Sequence, residues 1–141
     1  MGYLLDTDVL SDSSIPRPDP RVLQWMDAHD HELFLSTISL GEIIKGIELL
    51  SPGKRRNEIE RWFTRMEAWA GKGRDSRLLP PDAHVMREWG RLCARHEKKG
   101  RRLPVLDSLI AATAIANDLT LVTRNISDHP REIPILNLWG A

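Results

Sequence analysis

The sequence predicts an α/β fold built on a mainly parallel sheet. Short apolar runs of strand length alternate along the chain with longer stretches whose apolar residues recur at helical spacing. Strands that alternate with helices are typical of this class. A chain of 141 residues falls within the range of one ordinary domain. No linker or repeat divides the sequence, so we interpret residues 1–141 as a single domain.

Local patterns predict the first elements of the chain. Residues 2–5 are an apolar run typical of a buried strand, and Val9 belongs to a short helix after it. Asp19 followed by Pro20 predicts the start of a second helix, because an acidic cap precedes a proline in the first turn. Residues 32–38 alternate partly in polarity, which favours a second strand.

Apolar stripes predict two helices in the middle of the chain. The first opens at Ser39, and its predicted buried face consists of Leu40, Ile43, Ile44, Ile47 and Leu50. After a break at Pro52 and Gly53, the second carries a stripe made of Ile59, Trp62, Phe63, Met66, Trp69 and Ala70. We define the Trp62 stripe as Ile59, Trp62, Phe63 and Met66. It is either an ordinary core face or part of a partner surface, where large aromatic side chains are common anchors.

The second half of the chain continues the alternation. Leu78–Leu79 is predicted to be a short strand, and residues 80–82 start a long helix. Residues 104–117 form an apolar helix. Residues 120–123 and 135–136 are predicted to be the last two strands.

Composition and charge narrow the function only in part. Twenty basic residues balance twenty acidic ones, whereas a dedicated nucleic-acid binder is usually basic overall. The basic clusters at 54–56 and 98–102 are either solvated helix ends or surfaces that hold RNA beside an active site. No apolar run approaches the roughly 18 residues of a membrane span. Cys93 is the only cysteine, so no internal disulfide forms, and we expect a cytoplasmic protein that contacts no membrane.

Three carboxylates lie beside apolar structure. Asp6 follows the first strand, where open α/β sheets bind ligands, and it either caps the next helix or serves a site. Glu42 either closes a capping box with Ser39 or binds a ligand, since Gly46 leaves room beside it. Asp107 has apolar neighbours on its helix face, and an unpaired carboxylate there costs several kcal/mol (order of magnitude). We therefore expect a cation or an arginine beside Asp107.

Two further polar residues follow a predicted strand end. Asn125 and Asp128 either join the same site or form a plain turn. Hard oxygen ligands of this kind suit Mg²⁺ or Mn²⁺, and such a site has the parts to hydrolyse a phosphodiester. No zinc spacing is present among the histidines at 29, 31, 84, 96 and 129.

Several segments together resemble the PIN-domain family, specifically its VapC and FitB-like toxins of toxin–antitoxin systems. The matching segments are residues 3–10 (YLLDTDVL), 35–43 (LSTISLGEI), 46–50 (GIELL), 89–92 (WGRL), 104–113 (PVLDSLIAAT) and 119–125 (LTLVTRN). Each segment alone is a weak signal, but their order along nearly the full length makes the resemblance specific.

The resemblance implies a three-layer α/β/α sandwich with a central, mainly parallel sheet of about five strands. It also implies an endoribonuclease toxin that depends on Mg²⁺ or Mn²⁺. The expected partners are the RNA substrate, a second copy in a homodimer, and a cognate antitoxin through which any contact with DNA would be made.

The resemblance also assigns the site by position. Asp6, Glu42 and Asp107 match the family's three acids, and Asn125 falls on the fourth acidic position with Asp128 close behind. The implied catalytic residues are Asp6, Glu42, Asp107 and Asn125, and the implied metal ligands are Asp6, Glu42, Asp107 and Asp128. Many relatives carry Asn where this chain has Asp8. The neutral Asn125 leaves open whether a second metal binds and whether Asp128 substitutes.

The same residues allow two alternatives to the nuclease interpretation. Asp6, Asp8 and Thr123 are similar to motifs of haloacid-dehalogenase-like phosphatases, but the short stretch after Thr123 leaves no room for the lysine and paired acids such an enzyme needs. The other alternative is a PIN-fold binding module that acts mainly through a complex with a DNA-binding antitoxin, with little or no cleavage. A metal-dependent ribonuclease assay separates that alternative from the nuclease.

Overall fold

The computed structural model describes residues 2–126 and 129–139 of the chain. Within them, five strands form one sheet in the order β3-β2-β1-β4-β5, and every neighbouring pair is parallel. The strands are β1 (Gly2–Leu5), β2 (Leu33–Ser36), β3 (Leu78–Leu79), β4 (Leu119–Val122) and β5 (Ile135–Leu136). The predicted α/β class with a parallel sheet is therefore confirmed.

Helices cover both faces of this sheet. They are α1 (Thr7–Asp12), α2 (Pro20–Ala28), α3 (Thr37–Glu48), α4 (Lys54–Ala70), α5 (Ala83–Glu97) and α6 (Val105–Ala116). Successive strand residues point to opposite faces, so Leu5 packs with α1 to α4 while Leu4 packs with α5 and α6. The two apolar clusters on either side of the sheet make the three-layer sandwich that the family resemblance implies.

The start of α3 differs from the prediction. Ser36 is the N-cap, and its side-chain oxygen accepts a hydrogen bond from the Ile38 amide at 3.1 Å. The second strand is therefore shorter than residues 32–38, and the helix begins before Ser39. Since Glu42 lies well inside α3, the capping box with Ser39, one of the two interpretations of Glu42, does not form.

The predicted buried face of α3 is also partly wrong. Ile43 and Ile47 are buried one turn apart, but Ile44 is 44% exposed. A residue next to Ile43 is rotated by about 100° around the helix axis, which takes it away from the sheet. On α2, Leu23 is exposed for the same reason, while Val22 is buried.

The Trp62 stripe of α4 lies against the core. Met66 is buried, and the other three members are half-buried and pack on the α1 to α4 side of the sheet. The Trp62 indole N–H also donates to Ser13 Oγ at 3.0 Å. The stripe therefore packs on the core, and its role in a partner surface stays a prediction.

The basic cluster at 54–56 lies at the N-terminal end of α4, so it is a helix end, as one of its two interpretations expected. Arg56 forms salt bridges with Glu48 at 3.2 Å and Glu60 at 2.9 Å and donates to the Leu50 carbonyl oxygen at 3.1 Å. Arg56 therefore fixes the turn between α3 and α4. In the described part of the chain, no helix is both long and apolar enough to cross a membrane.

Candidate active site

The candidate site lies where the strands of the parallel sheet end. After β1 the chain continues to β2 on one side, whereas β4 lies on the other side of β1. Such a switch point opens a crevice at the carboxyl ends of the strands. A cleft of about 280 Å³ occupies this position, and it is lined by Asp6, Thr7, Asp8, Ser11, Glu42, Asp107, Asn125 and His129. We call it the acidic cleft.

The acidic cleft brings together four residues that the sequence singled out. Asp6, Glu42, Asp107 and Asn125 come from distant parts of the chain and line this one space. Asp128 lies outside the described residues. The roles of these residues stay predictions, but their common location is a property of the fold.

Asp6 both caps the helix that follows it and lines the acidic cleft. Its Oδ1 accepts a hydrogen bond from the Thr7 amide at 2.8 Å and so caps α1. Its Oδ2 lies 2.9 Å from both Thr123 Oγ1 and His129 Nε2. The residue is only 6% exposed. A buried carboxylate needs such donors, and here they hold the side chain in one orientation at the cleft wall.

Glu42 is held from another helix and not by its own helix end. The Thr7 hydroxyl donates to Glu42 Oε1 at 2.6 Å, and the same hydroxyl oxygen lies 2.8 Å from Ser39 Oγ. Thr7 is the first residue of α1, directly after Asp6. A single turn of chain therefore positions two carboxylates of the cleft.

Asp8 is a further carboxylate in the wall of the acidic cleft. Its Oδ2 accepts hydrogen bonds from the Arg124 amide at 3.1 Å and from Thr123 Oγ1 at 3.4 Å. Its Oδ1 is buried and has no partner among the described residues. Burial, together with the nearby charge of Asp6, raises the pKa of Asp8 above its usual value.

His129 joins the site although the sequence analysis gave it no role. Its side chain is 1% exposed. Burial disfavours the charged imidazole, but the hydrogen bond to Asp6 and the charges of Asp6, Asp107 and Asp8 outweigh it, so the pKa of His129 is raised. The contact with Asp6 spans 123 positions in sequence. The spacing between histidines along the sequence cannot reveal a partner that distant.

Asp107 and Asn125 complete the cleft from its other side. Asp107 lies in the first turn of α6, which begins at Val105, one residue later than predicted. The Trp89 indole donates to Ser108 Oγ at 2.9 Å, which ties this turn to α5. Asn125 is exposed, and its amide donates to Thr123 Oγ1 at 3.1 Å. Thr123 thus connects the Asp6 and Asn125 sides of the cleft.

The chemistry of the donor set fits a hydrated hard cation. Over residues 2–126 and 129–139, no three histidine, cysteine, aspartate or glutamate side chains form a ready-made metal cage. Mg²⁺ does not require one, because it keeps several waters and binds through one or two carboxylates and substrate phosphates. The buried, unpartnered Oδ1 of Asp8 is an oxygen that a cation or a water on it would satisfy. Mn²⁺ prefers the same oxygen ligands.

The parallel α/β/α sandwich with carboxylates at its switch point defines the structural class of the protein. Comparison with known proteins defines its family. The model of the PIN domain matches residues 3–127, so the chain belongs to the PIN-domain family. The resemblance noted in the sequence is thereby confirmed, and the phosphatase alternative is left without support.

Individual relatives cover nearly the whole chain. The VapC ribonuclease Y4jK of Sinorhizobium fredii is 33% identical to it over 96% of each chain. Toxin FitB of Neisseria gonorrhoeae is 31% identical over 96% of this chain and 97% of its own. A solved structure of FitAB bound to a DNA fragment has a TM-score of 0.83 at 30% identity, covering 99% of this chain and 96% of that chain. The fold and the order of the segments are therefore shared over the full domain.

Proposed function

We propose that this protein is a Mg²⁺- or Mn²⁺-dependent endoribonuclease that serves as the toxin of a toxin–antitoxin pair. The observation that carries the proposal is the acidic cleft, where Asp6, Glu42 and Asp107 line one space at the switch point of the sheet. The family supports it, since one similar protein is named a ribonuclease and another a toxin.

The cation would be held by Asp6, Glu42 and Asp107, with Asn125 or Asp128 as the fourth oxygen donor. When bound, such a cation neutralises a phosphate and lowers the pKa of a water. The chain's own contribution is to orient these oxygens before substrate arrives. Thr7 holds Glu42 at 2.6 Å, and His129 holds Asp6 at 2.9 Å, so neither carboxylate needs to reorganise.

The proposed partners follow from the same family. We expect a homodimer that an antitoxin neutralises, and we expect any contact with DNA to be made through that antitoxin. The support is the similarity to FitAB, which was solved on a DNA fragment. The carboxylates of the acidic cleft repel the phosphates of any nucleic acid unless a cation is present.

The test is a cleavage assay on the antitoxin-free protein. Total RNA is incubated with wild type in Mg²⁺, Mn²⁺ or EDTA, and the new RNA ends are mapped. We expect discrete cuts with metal and none in EDTA. Asp107→Asn, purified in parallel, is the control for contaminating nuclease. If wild type cuts no better than this variant in any metal, the nuclease proposal fails and the binding-module alternative takes its place.

A further inference from the structure

A second cavity adjoins the acidic cleft and has the opposite charge. It has a volume of about 410 Å³, and its charged or titratable lining residues are His96, Lys99, Arg101, His129, Arg131 and Glu132. We call it the basic cavity. His129 lines both spaces, so the two are neighbours.

The cations of the basic cavity are available to a ligand. Lys99, Arg101 and Arg131 are exposed, and none of them forms a salt bridge with any described residue. The single carboxylate, Glu132, is already engaged: both of its oxygens lie 3.1 Å from His96 Nε2, and one lies 3.7 Å from Arg95. Three cations therefore line the cavity, and the one carboxylate among its described lining residues is already paired with His96 and Arg95.

The backbone holds these cations in place. After α5 the chain turns around the His96 carbonyl oxygen, which accepts hydrogen bonds from the Lys99 amide at 3.0 Å and the Arg101 amide at 2.9 Å. Gly100 adopts a φ of 78° between them, a conformation that glycine adopts without strain. The turn places Lys99 and Arg101 at the cavity, whereas their neighbours Lys98 and Arg102 do not line it.

Two buried histidines form part of the cavity wall. The His96 side chain is 8% exposed and that of His129 is 1% exposed. Each leaves its Nδ1 buried without a partner among the described residues, and neither atom is accessible from the cavity. The groups that a ligand in the cavity would meet are therefore the exposed cations Lys99, Arg101 and Arg131.

We infer that the basic cavity binds a phosphate group of the RNA backbone that flanks the scissile phosphate. This inference rests on the proposed nuclease function and deepens it. An RNA strand that enters the acidic cleft meets carboxylates, which repel its phosphates. The cations of the adjoining basic cavity offset this repulsion by binding the flanking phosphate. Because the contact is to the backbone, it sets the register and orientation of the strand and not its sequence.

The chain offers a matched pair of variants to test this. Lys99→Ala with Arg101→Ala removes two cations from the cavity. Lys98→Ala with Arg102→Ala removes the same two residue types from the same turn, outside the cavity. Binding of a fluorescein-labelled single-stranded RNA is followed by anisotropy in EDTA over a series of salt concentrations. EDTA keeps the RNA intact, so binding is measured independently of cleavage.

The cavity variant is expected to bind roughly 3- to 10-fold more weakly at low salt, and its log–log salt slope should fall by about 0.7 to 1.4. The salt slope of the matched control should fall by less than half as much as that of the cavity variant. Arg131→Ala, from another segment of the chain, should weaken binding in the same direction. Melting temperatures should be unchanged, since the exposed side chains of Lys99 and Arg101 do not make the turn's hydrogen bonds.

The possible outcomes separate this inference from the nuclease proposal. Equal losses in the two double variants, or an unchanged slope in the cavity variant, would overturn the subsite while cleavage stands. RNA binding with the predicted difference, but without cleavage in any metal, would support the subsite and overturn the nuclease. A wild-type chain that binds no RNA under these conditions would overturn the subsite.

Discussion

Two groups of carboxylates in this protein are satisfied in opposite ways. Asp30 accepts the Trp69 indole N–H at 2.7 Å and the Arg77 guanidinium at 3.0 Å. These two contacts lower the pKa of Asp30. In the acidic cleft, burial and the charge of Asp6 raise the pKa of Asp8 instead. The first carboxylate has a protein cation beside it, whereas the second is crowded by another acid.

The difference separates a structural carboxylate from a candidate functional one. Arg77 also donates to the Trp69 carbonyl oxygen at 3.1 Å and lies 4.4 Å from the centre of the Trp69 ring, so the Asp30 cluster (Asp30, Trp69 and Arg77) is complete within the protein. Among the described residues, the donors to Asp6, Asp8 and Glu42 are hydroxyls, backbone amides and His129. No lysine or arginine side chain is among those donors. Acids arranged in this way are suited to a cation from solution.

The largest expected effect is on cleavage. Asp107→Asn keeps the shape of the side chain and removes one charge from the acidic cleft. We expect cleavage to fall at least about 100-fold, because a metal supplies several kcal/mol of charge stabilisation in the transition state. Asp30→Asn, the matched change in the structural cluster, should leave cleavage within about twofold at a temperature where both variants are folded. Equal losses of cleavage in the two variants would show that the acidic cleft and the Asp30 cluster do not differ in function.

The effect of metal on stability should depend on the carboxylates of the acidic cleft and not on the Asp30 cluster. A cation that binds only the folded protein stabilises it by mass action, by about 2.7 kcal/mol at 100 times its dissociation constant. Wild type and Asp30→Asn should therefore melt higher as Mg²⁺ or Mn²⁺ is raised, and Asp107→Asn should respond much less. Melting curves in EDTA and in a metal series measure this. An undiminished response in Asp107→Asn would show that the cation binds elsewhere.

The Asp30 cluster should contribute stability in the absence of metal. Asp30→Asn is expected to cost about 1 kcal/mol at neutral pH, a modest value because the Asp30 side chain is half exposed and its ion pair is screened. That corresponds to a melting point lower by roughly 3–4 °C.

The pH dependence of that effect follows from the lowered pKa. The contribution of Asp30 is fully present above the unfolded pKa of about 3.9 and is lost as pH falls through the lower folded pKa. Melting of wild type and Asp30→Asn should therefore converge only in strong acid. A difference that is constant down to the lowest pH tested would mean that geometry, not charge, carries the contribution.

The sheet and most helices could be predicted because their signals are local. Residues 2–5 and Leu78–Leu79 are short apolar runs, and the cap at Asp19 is adjacent to its helix. The start of α3 could not, because Ser36 and Ser39 are both plausible caps. The contact with Thr7, from a different helix, and the place of Glu42 in the cleft wall show that Glu42 faces the cleft and not its own helix end.

The candidate site was predictable to the extent that the strand ends of a parallel sheet must meet. That rule, with the family pattern, brings Asp6 and Asn125 to one edge from opposite ends of the chain. It does not predict His129, whose contact with Asp6 depends on how the segment after β4 returns to the sheet. Nor does it predict the basic cavity, because the cluster at 98–102 acquires its neighbour Arg131 only in the folded protein.

The smallest expected effect, and the sharpest comparison, comes from Asp8→Asn. The folded pKa of Asp8 is raised, so its ionisation opposes folding. This penalty is absent well below the unfolded pKa of about 3.9, grows as pH rises through the folded pKa, and is constant above it. Asp8→Asn removes the charge, and its amide oxygen can still accept the hydrogen bond from the Arg124 amide.

In EDTA at neutral pH, Asp8→Asn should melt at a higher temperature than wild type. The gain in the free energy of unfolding should be less than about 1 kcal/mol, since solvent screens a half-buried group. Asp30→Asn should melt lower under the same conditions, so the same substitution has opposite signs in the two groups. Melting curves from pH 7 down to about pH 3 test this, and a lower melting point for Asp8→Asn at neutral pH would mean that Asp8 is a structural carboxylate after all.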